Sequence, residues 1–114
     1  MLAAALVSAP SAAQDRDPSQ RQSLLDLAYV LGQSHALARA CDDVNSLYWR
    51  SRMERLIELE APDLPFKARL TAQFNTGYSA SEAQFPTCTT AARAAATDAA
   101  RKGRTLSLEL SRIR

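Results

Sequence analysis

The sequence of 114 residues contains few of the side chains that carry most protein chemistry: it has one histidine, two cysteines and three glycines. It has no glycine-rich phosphate loop and no paired-carboxylate motif, and its cysteines do not form a C-x-x-C pair. A structural zinc site needs four ligands, whereas His35, Cys41 and Cys88 supply at most three. We therefore expect no catalytic residues, no metal site and no cofactor, and we predict that the protein is not an enzyme.

Two further features are absent, a strong charge of one sign and a long apolar run. Fourteen basic and twelve acidic residues leave a formal net charge of +2, far from the concentrated positive patch of a nucleic-acid binder. Beyond the first residues, no stretch approaches the roughly 18 apolar residues that a membrane-spanning helix requires. We expect neither a nucleic-acid partner nor a membrane span in the mature chain.

Residues 1–13, MLAAALVSAPSAA, are uncharged and resemble the end of a secretory signal peptide. A short apolar region, LAAALV, precedes small residues at Ser11 and Ala13, the two positions that signal peptidase reads. We predict cleavage after Ala13 and export to the periplasm. Because no basic segment precedes the apolar region, a start upstream of Met1 and a disordered alanine-rich tail both stay open as alternatives.

The remaining chain has the length of one domain. Residues 14–22, QDRDPSQRQ, are polar and aperiodic, so we predict a flexible lead-in followed by a single helical domain over residues 23–114. The spacing of apolar residues, the capping residues and the prolines predict helices at about residues 20–41, 46–60, 63–84 and 89–112. Short connections favour antiparallel neighbours, so the predicted fold is an all-α four-helix bundle.

The longest apolar stripe lies in residues 24–41, LLDLAYVLGQSHALARAC, which we predict to be the central helix of the bundle. Leu24, Ala28, Leu31 and His35 recur at spacings of four and three, the pattern of a helix buried along one side. A functional His35 would need a nucleophile or a carboxylate from another helix, and no local motif supplies one. We expect a core or boundary histidine with one hydrogen bond.

The two cysteines suggest a covalent link between the ends of two predicted helices. Cys41 ends the first helix and Cys88 begins the last, and an antiparallel layout brings such ends together. An even number of cysteines in an exported chain is expected to pair. We predict a structural disulfide, which would stabilise the domain by roughly 4 kcal/mol in the chain-entropy model.

Aromatic residues concentrate in the third predicted helix and the residue after it, where all three phenylalanines lie. We interpret this face as hydrophobic core, because large aromatics supply much of the buried area in a small domain. Gly77 in the same helix indicates either a close approach of another backbone or a local break. As a candidate binding surface at a helix interface we single out an amphipathic set: Trp49, Arg52, Asn75 and Tyr78.

Several segments carry a resemblance to a known family: YVLGQSHALARAC, YWRSRMERLIELE, FNTGYSASEAQFPTCTTAARAA and ARKGRTL. Over about residues 24–108 the chain resembles a family of small exported alphaproteobacterial proteins of unknown function, which share the order of helices and one cysteine pair. The W-R-x-R-M and F-N-x-G-Y segments are the more specific parts of the match. The resemblance implies a periplasmic helical protein and brings no activity, cofactor or catalytic residue.

Two hypotheses for function follow from the sequence. The first is a non-enzymatic periplasmic interaction module, in which the bundle presents a helix face to another envelope protein as an inhibitor, an adaptor or a stress-protective chaperone. The alternative is a protein that binds a small ligand or an envelope polymer at the candidate surface. A structure with a pocket at those four residues would favour the second hypothesis.

Overall fold

The computed structural model describes residue 13, residues 15–41, residue 44 and residues 46–112. The chain forms four α-helices and, within these residues, no strand. This confirms the predicted all-α four-helix bundle, and the predicted helix boundaries are at most two residues from the observed ones. The helices are α1 (Pro18–Cys41), α2 (Ser46–Glu60), α3 (Leu64–Gln84) and α4 (Thr90–Arg112).

The start of α1 is fixed by a reciprocal cap. The Asp17 carboxylate accepts a hydrogen bond from the Gln20 backbone N–H at 2.8 Å, and the Gln20 side chain accepts one from the Asp17 N–H at 3.0 Å. This pair satisfies N–H groups that a helix N-terminus leaves free, and Pro18 has no N–H to satisfy. Residues 18–22, which belong to the predicted lead-in, are therefore helical.

Single side chains cap the starts of α3 and α4. Asp63 accepts a hydrogen bond from the Phe66 N–H at 2.9 Å, and the Thr89 hydroxyl accepts one from the Ala92 N–H at 3.0 Å. Both residues are typical of caps, because a short oxygen-bearing side chain can reach back to the first turn. These local signals explain why the sequence predicts the helix boundaries so closely.

Helix α1 is the centre of the fold. Helices α2, α3 and α4 contact α1 far more than they contact one another. The buried residues of α1 consequently lie on all sides of the helix and not along one stripe. This confirms its predicted central place. They are Leu24, Leu25, Leu27, Ala28, Val30, Leu31, Gly32, Ser34, His35, Ala36 and Leu37.

The closest helix crossing is between α1 and α3. A Cβ atom on Gly32 would collide with the Phe74 carbonyl, and one on Gly77 would collide with the Tyr29 carbonyl. Each glycine thus makes room for the backbone of the opposite helix. Helix α3 runs unbroken through Gly77, so of the two predictions for this residue the close approach is confirmed.

Helix α4 packs on α1 through small residues in its first half and a large residue near its end. Its buried residues are Ala92, Ala99, Gly103 and Leu110. They are seven, four and seven residues apart, which places them on one face of the helix. The small side chains allow α4 to lie close to α1 near the disulfide.

Cys41 and Cys88 form the predicted disulfide, with their Cα atoms 4.7 Å apart. The bond joins the last residue of α1 to the segment just before α4. Among the helices that the structure describes, none combines the length and apolar character needed to cross a membrane. The predicted signal peptide lies outside the described residues except for Ala13.

Candidate binding groove beside the second helix

Helix α2 is attached to the rest of the domain by polar contacts at its two ends and by apolar packing of its middle. At its start, the Ser46 carbonyl lies 2.6 Å from Nδ1 of His35, which must therefore carry a proton to donate this hydrogen bond. At its end, Glu60 binds Arg16. The Glu60 carbonyl also accepts a hydrogen bond from the Ala13 N–H at 2.9 Å, a contact that the predicted cleavage after Ala13 would remove, whereas the contact with Arg16 would remain. These contacts fix the position of α2 along α1.

His35 matches the expectation of a core histidine with one hydrogen bond. Its side chain is buried in α1, and its ring centroid lies 5.9 Å from that of Phe74 and 5.3 Å from that of Tyr78. The bond to the Ser46 carbonyl orients the imidazole towards α2. The geometry therefore gives His35 a positioning role between α1, α2 and α3.

Between its ends, α2 packs on the core with one face. Met53 and Glu60 are buried, and Trp49, Leu56 and Ile57 are half-buried against the core. On the outside, Leu47 is 65% exposed, Tyr48 53% and Leu59 49%. Exposing large apolar side chains to water costs free energy, so binding of another molecule to the outer surface of α2 would be favourable.

A groove of about 260 Å³ lies between α2, α1 and α4. We call it the α2 groove. Its apolar lining consists of leucines from all three helices: Leu24, Leu27, Leu31, Leu56, Leu59 and Leu110. Its polar lining consists of Arg16, Arg52, Arg55, Glu60, Ser107 and Ser111. The groove is therefore an apolar channel with charged and hydroxyl groups beside it.

The charges around the α2 groove are unbalanced. Three arginines and one glutamate line it, and Arg16 is the partner of that glutamate. Arg55 forms an exposed ion pair with Glu58 at 3.0 Å, and such exposed pairs contribute little. Arg52 contacts no carboxylate in the described part of the chain, and its guanidinium lies 5.9 Å from the Tyr48 ring centroid. The groove thus carries excess positive charge at α2.

The four residues of the predicted binding surface lie on two helices that both pack on α1. Trp49 and Arg52 are in α2, whereas Asn75 and Tyr78 are in α3. Arg52 lines the α2 groove, and the other three are not among its lining residues. Asn75 is exposed, and Trp49 packs against the core. Of the four predicted residues, Arg52 is therefore the one that lines this groove, and whether any of them binds a ligand stays a prediction.

Tyr78 belongs to a polar cluster between α1 and α3. Glu82 of α3 and Arg39 of α1 are the polar side chains that act on its hydroxyl. Burial of the hydroxyl and the interaction with Glu82 raise the pKa of Tyr78 above its ordinary value, and Arg39 offsets part of this rise. The surroundings of the phenol therefore favour its protonated form.

The sequence analysis did not single out Arg55, Leu59 and the buried Arg16 as members of a site. A signal was present in α2, where Tyr48, Arg52, Arg55 and Leu59 recur at spacings of four and three. This spacing places them on one helical stripe. The described residues contain no group of three His, Cys, Asp or Glu side chains arranged to hold a metal ion.

A family model described as "Protein of unknown function (DUF2385)" matches residues 19–113. The chain belongs to this family. The match spans all four helices, so the DUF2385 domain and the bundle are the same unit. No curated protein and no solved structure matches the chain.

Proposed function

We propose that this DUF2385 protein is a non-enzymatic, periplasmic interaction module that presents the outer surface of α2 to another protein of the cell envelope. The observation that carries the proposal is the exposure of Leu47 and Tyr48 on a helix that is anchored at both ends. Exposed apolar and aromatic side chains on a rigid helix are typical of protein-binding surfaces.

The packing of α2 supports this surface as a docking face. A helix that only completed the core would direct its large apolar residues towards α1, as Met53 does. Instead, Leu47 and Tyr48 lie near the start of α2 and face solvent, while His35 holds that end in place. The Tyr48 ring packs edge-on against Trp49, with centroids 4.9 Å apart, which limits its freedom before binding.

Two features support the periplasm as the location. The Cys41–Cys88 disulfide is of the kind that persists in oxidising compartments. Residues 1–13 carry the small and apolar side chains of a signal peptide with a cleavage position after Ala13. Proteolytic maturation and export are tested together by the N-terminal mass of the protein in a periplasmic fraction.

The test is site-specific photo-crosslinking in intact cells at native expression, followed by mass spectrometry of the crosslinked product. A photoreactive residue at position 47 or 48 is expected to capture one reproducible envelope protein. The same residue at Thr71 or Ala72, on the exposed side of α3, serves as the reference. Equal capture at all four positions, or capture at none, would contradict the proposal.

A matched pair of substitutions tests the role of the apolar surface. Leu47→Asp places a charge on the proposed docking face, whereas Leu64→Asp places the same charge at an 80% exposed leucine at the start of α3. Leu47→Asp should abolish co-purification of the captured partner, and Leu64→Asp should retain it. Both variants should melt like the wild type because neither leucine is buried.

A further inference from the structure

We propose that the α2 groove binds a single-chain amphiphile with an anionic head group, with the alkyl chain on the leucines and the head group at Arg52 and Arg55. This goes beyond the docking of a protein on α2, because Leu47 and Tyr48 do not line the groove. The two proposals are therefore tested by substitutions of different residues.

The apolar lining matches an alkyl chain. Leu56 and Leu59 of α2 line one side of the groove, and Leu59 is 49% exposed. Leu24, Leu27 and Leu31 of α1 lie one turn apart at the bottom of the groove and are at most 5% exposed, so they close it beneath a ligand. A groove whose bottom is closed by leucines favours a linear hydrocarbon, since it has no polar groups there for a hydroxylated ligand.

The charges beside the groove favour an anion. Arg16 is occupied, because it binds both carboxylate oxygens of Glu60 and the Leu110 carbonyl. Arg52 contacts no carboxylate in the part of the chain that the structure describes, and Arg55 has only its exposed pair with Glu58. A carboxylate or a phosphate can accept charge-assisted hydrogen bonds from both guanidinium groups.

The position of these arginines sets the direction of the ligand. Arg52 and Arg55 lie on the exposed stripe of α2, beside the buried leucines of α1. A head group held there remains partly in water, which lowers the cost of desolvating its charge. Its chain then points into the groove, where the hydrocarbon replaces water over the exposed side of Leu59. The ligand class is thus fatty carboxylate or alkyl phosphate, which share this chemistry.

The experiment measures binding of four ten-carbon probes to the purified full-length disulfide-bonded protein: decanoate, decyl phosphate, decanol and decyltrimethylammonium, all below their micellar concentrations. Isothermal titration gives the affinity, and leucine methyl resonances give the position. Saturable binding of decanoate or of decyl phosphate, with shifts concentrated at Leu24, Leu56 and Leu110, is the expected result. The stronger of these two probes identifies the head group as carboxylate or phosphate.

Charge variants on α2 form a matched control pair. Arg52→Glu should weaken binding of the anionic probe by about tenfold, because an attraction becomes a repulsion. Arg50→Glu changes the net charge equally at an exposed arginine that does not line the groove. It should change the affinity by less than about twofold in buffer of physiological ionic strength, where distant surface charges are screened.

A filling variant tests the apolar part independently. Ser107→Phe, at a half-buried position of α4 that lines the groove, should abolish binding, whereas Ser79→Phe on exposed α3 should retain it. If Ser107→Phe fails to fold, the exposed Arg52→Glu variant still decides the question. No saturable binding of either anion, or equal affinity for decanoate, decanol and decyltrimethylammonium, would overturn the proposal.

Discussion

Arg16 and Glu60 form a two-point ion pair that joins the segment before α1 to the end of α2. Arg16 Nε lies 2.6 Å from Glu60 Oε1, and Nη2 lies 3.2 Å from Oε2. The Arg16 side chain is only 7% exposed and that of Glu60 only 3%. Nη1 of Arg16 also donates to the Leu110 carbonyl at 3.3 Å, so one guanidinium connects three parts of the fold.

Removing one partner of this pair should destabilise the protein strongly. Glu60→Gln leaves the Arg16 charge buried without its carboxylate, and we expect a loss of about 3 kcal/mol in the free energy of unfolding. Urea unfolding at neutral pH, followed by circular dichroism, measures the change. The double variant Arg16→Met/Glu60→Leu should lose much less, since it leaves no buried charge. A double variant as unstable as the sum of the two single ones would refute this account.

The three glycines of the chain should respond differently to alanine, although all three lie within helices. Gly32→Ala and Gly77→Ala each force a methyl group into a backbone carbonyl of the opposite helix, so each should cost about 1–3 kcal/mol or more. At Gly103, an added Cβ would lie 3.4 Å from a Val30 methyl and 3.9 Å from a Leu27 methyl, both on side chains that can adjust.

Gly103→Ala is therefore the matched control for the other two substitutions. Alanine has a higher helix propensity than glycine by about 1 kcal/mol, which offsets a small adjustment of Val30. We expect thermal melting to show a stability equal to or above that of the wild type. An equal loss for all three alanine variants would mean that the close α1–α3 crossing is not what requires glycine.

Most of the helical structure could be predicted because its signals are local. Asp63 and Thr89 cap the helices that follow them, and both are recognisable from residue type and position. Met53 and Glu60, seven residues apart, form a stripe on one face of α2, and both are buried. Local spacing cannot show, however, that the charged member of this stripe finds its partner 44 positions away in the chain.

The α2 groove could not be predicted from the sequence for a similar reason. Its existence depends on the distance between α2 and the other helices, which is set by contacts at the two ends, through His35 and Glu60. Residue spacing assigns Arg52 to a surface but does not show which helix lies beside it. The prediction that combined Arg52 with Asn75 and Tyr78 required a contact between α2 and α3, whereas both helices pack chiefly on α1.

The disulfide gives a prediction that depends on redox conditions. Cys41→Ser or Cys88→Ser removes a link between residues 47 positions apart, which should cost about 4 kcal/mol under oxidising conditions in the chain-entropy model. In excess reductant the wild type loses the same link, so the variants and the wild type should then melt at similar temperatures. An equal deficit of the variants in both conditions would show that packing of the sulfur atoms matters more than the bond.

Tyr78 predicts how stability changes at alkaline pH. Burial, together with the hydrogen bond to Glu82, raises its pKa in the folded protein above the ordinary value near 10. The folded state therefore favours the neutral phenol, so this contribution is complete below pH 10 or so and is lost as the pH rises through the raised pKa. Melting temperatures measured across this range should fall more steeply for the wild type than for Tyr78→Phe, which has no phenol to ionise.

Ultraviolet absorbance of the phenolate tests the same point without unfolding the protein. The difference between the titration curves of the wild type and Tyr78→Phe isolates the ionisation of Tyr78, and its midpoint should lie above the ordinary tyrosine pKa. Glu82→Gln removes the negative charge beside the hydroxyl and should lower this midpoint, because the neutral phenol loses its charged acceptor. A midpoint at the ordinary value would mean that solvent reaches the hydroxyl freely, and the α1–α3 polar cluster would then contribute nothing to the alkaline stability of the fold.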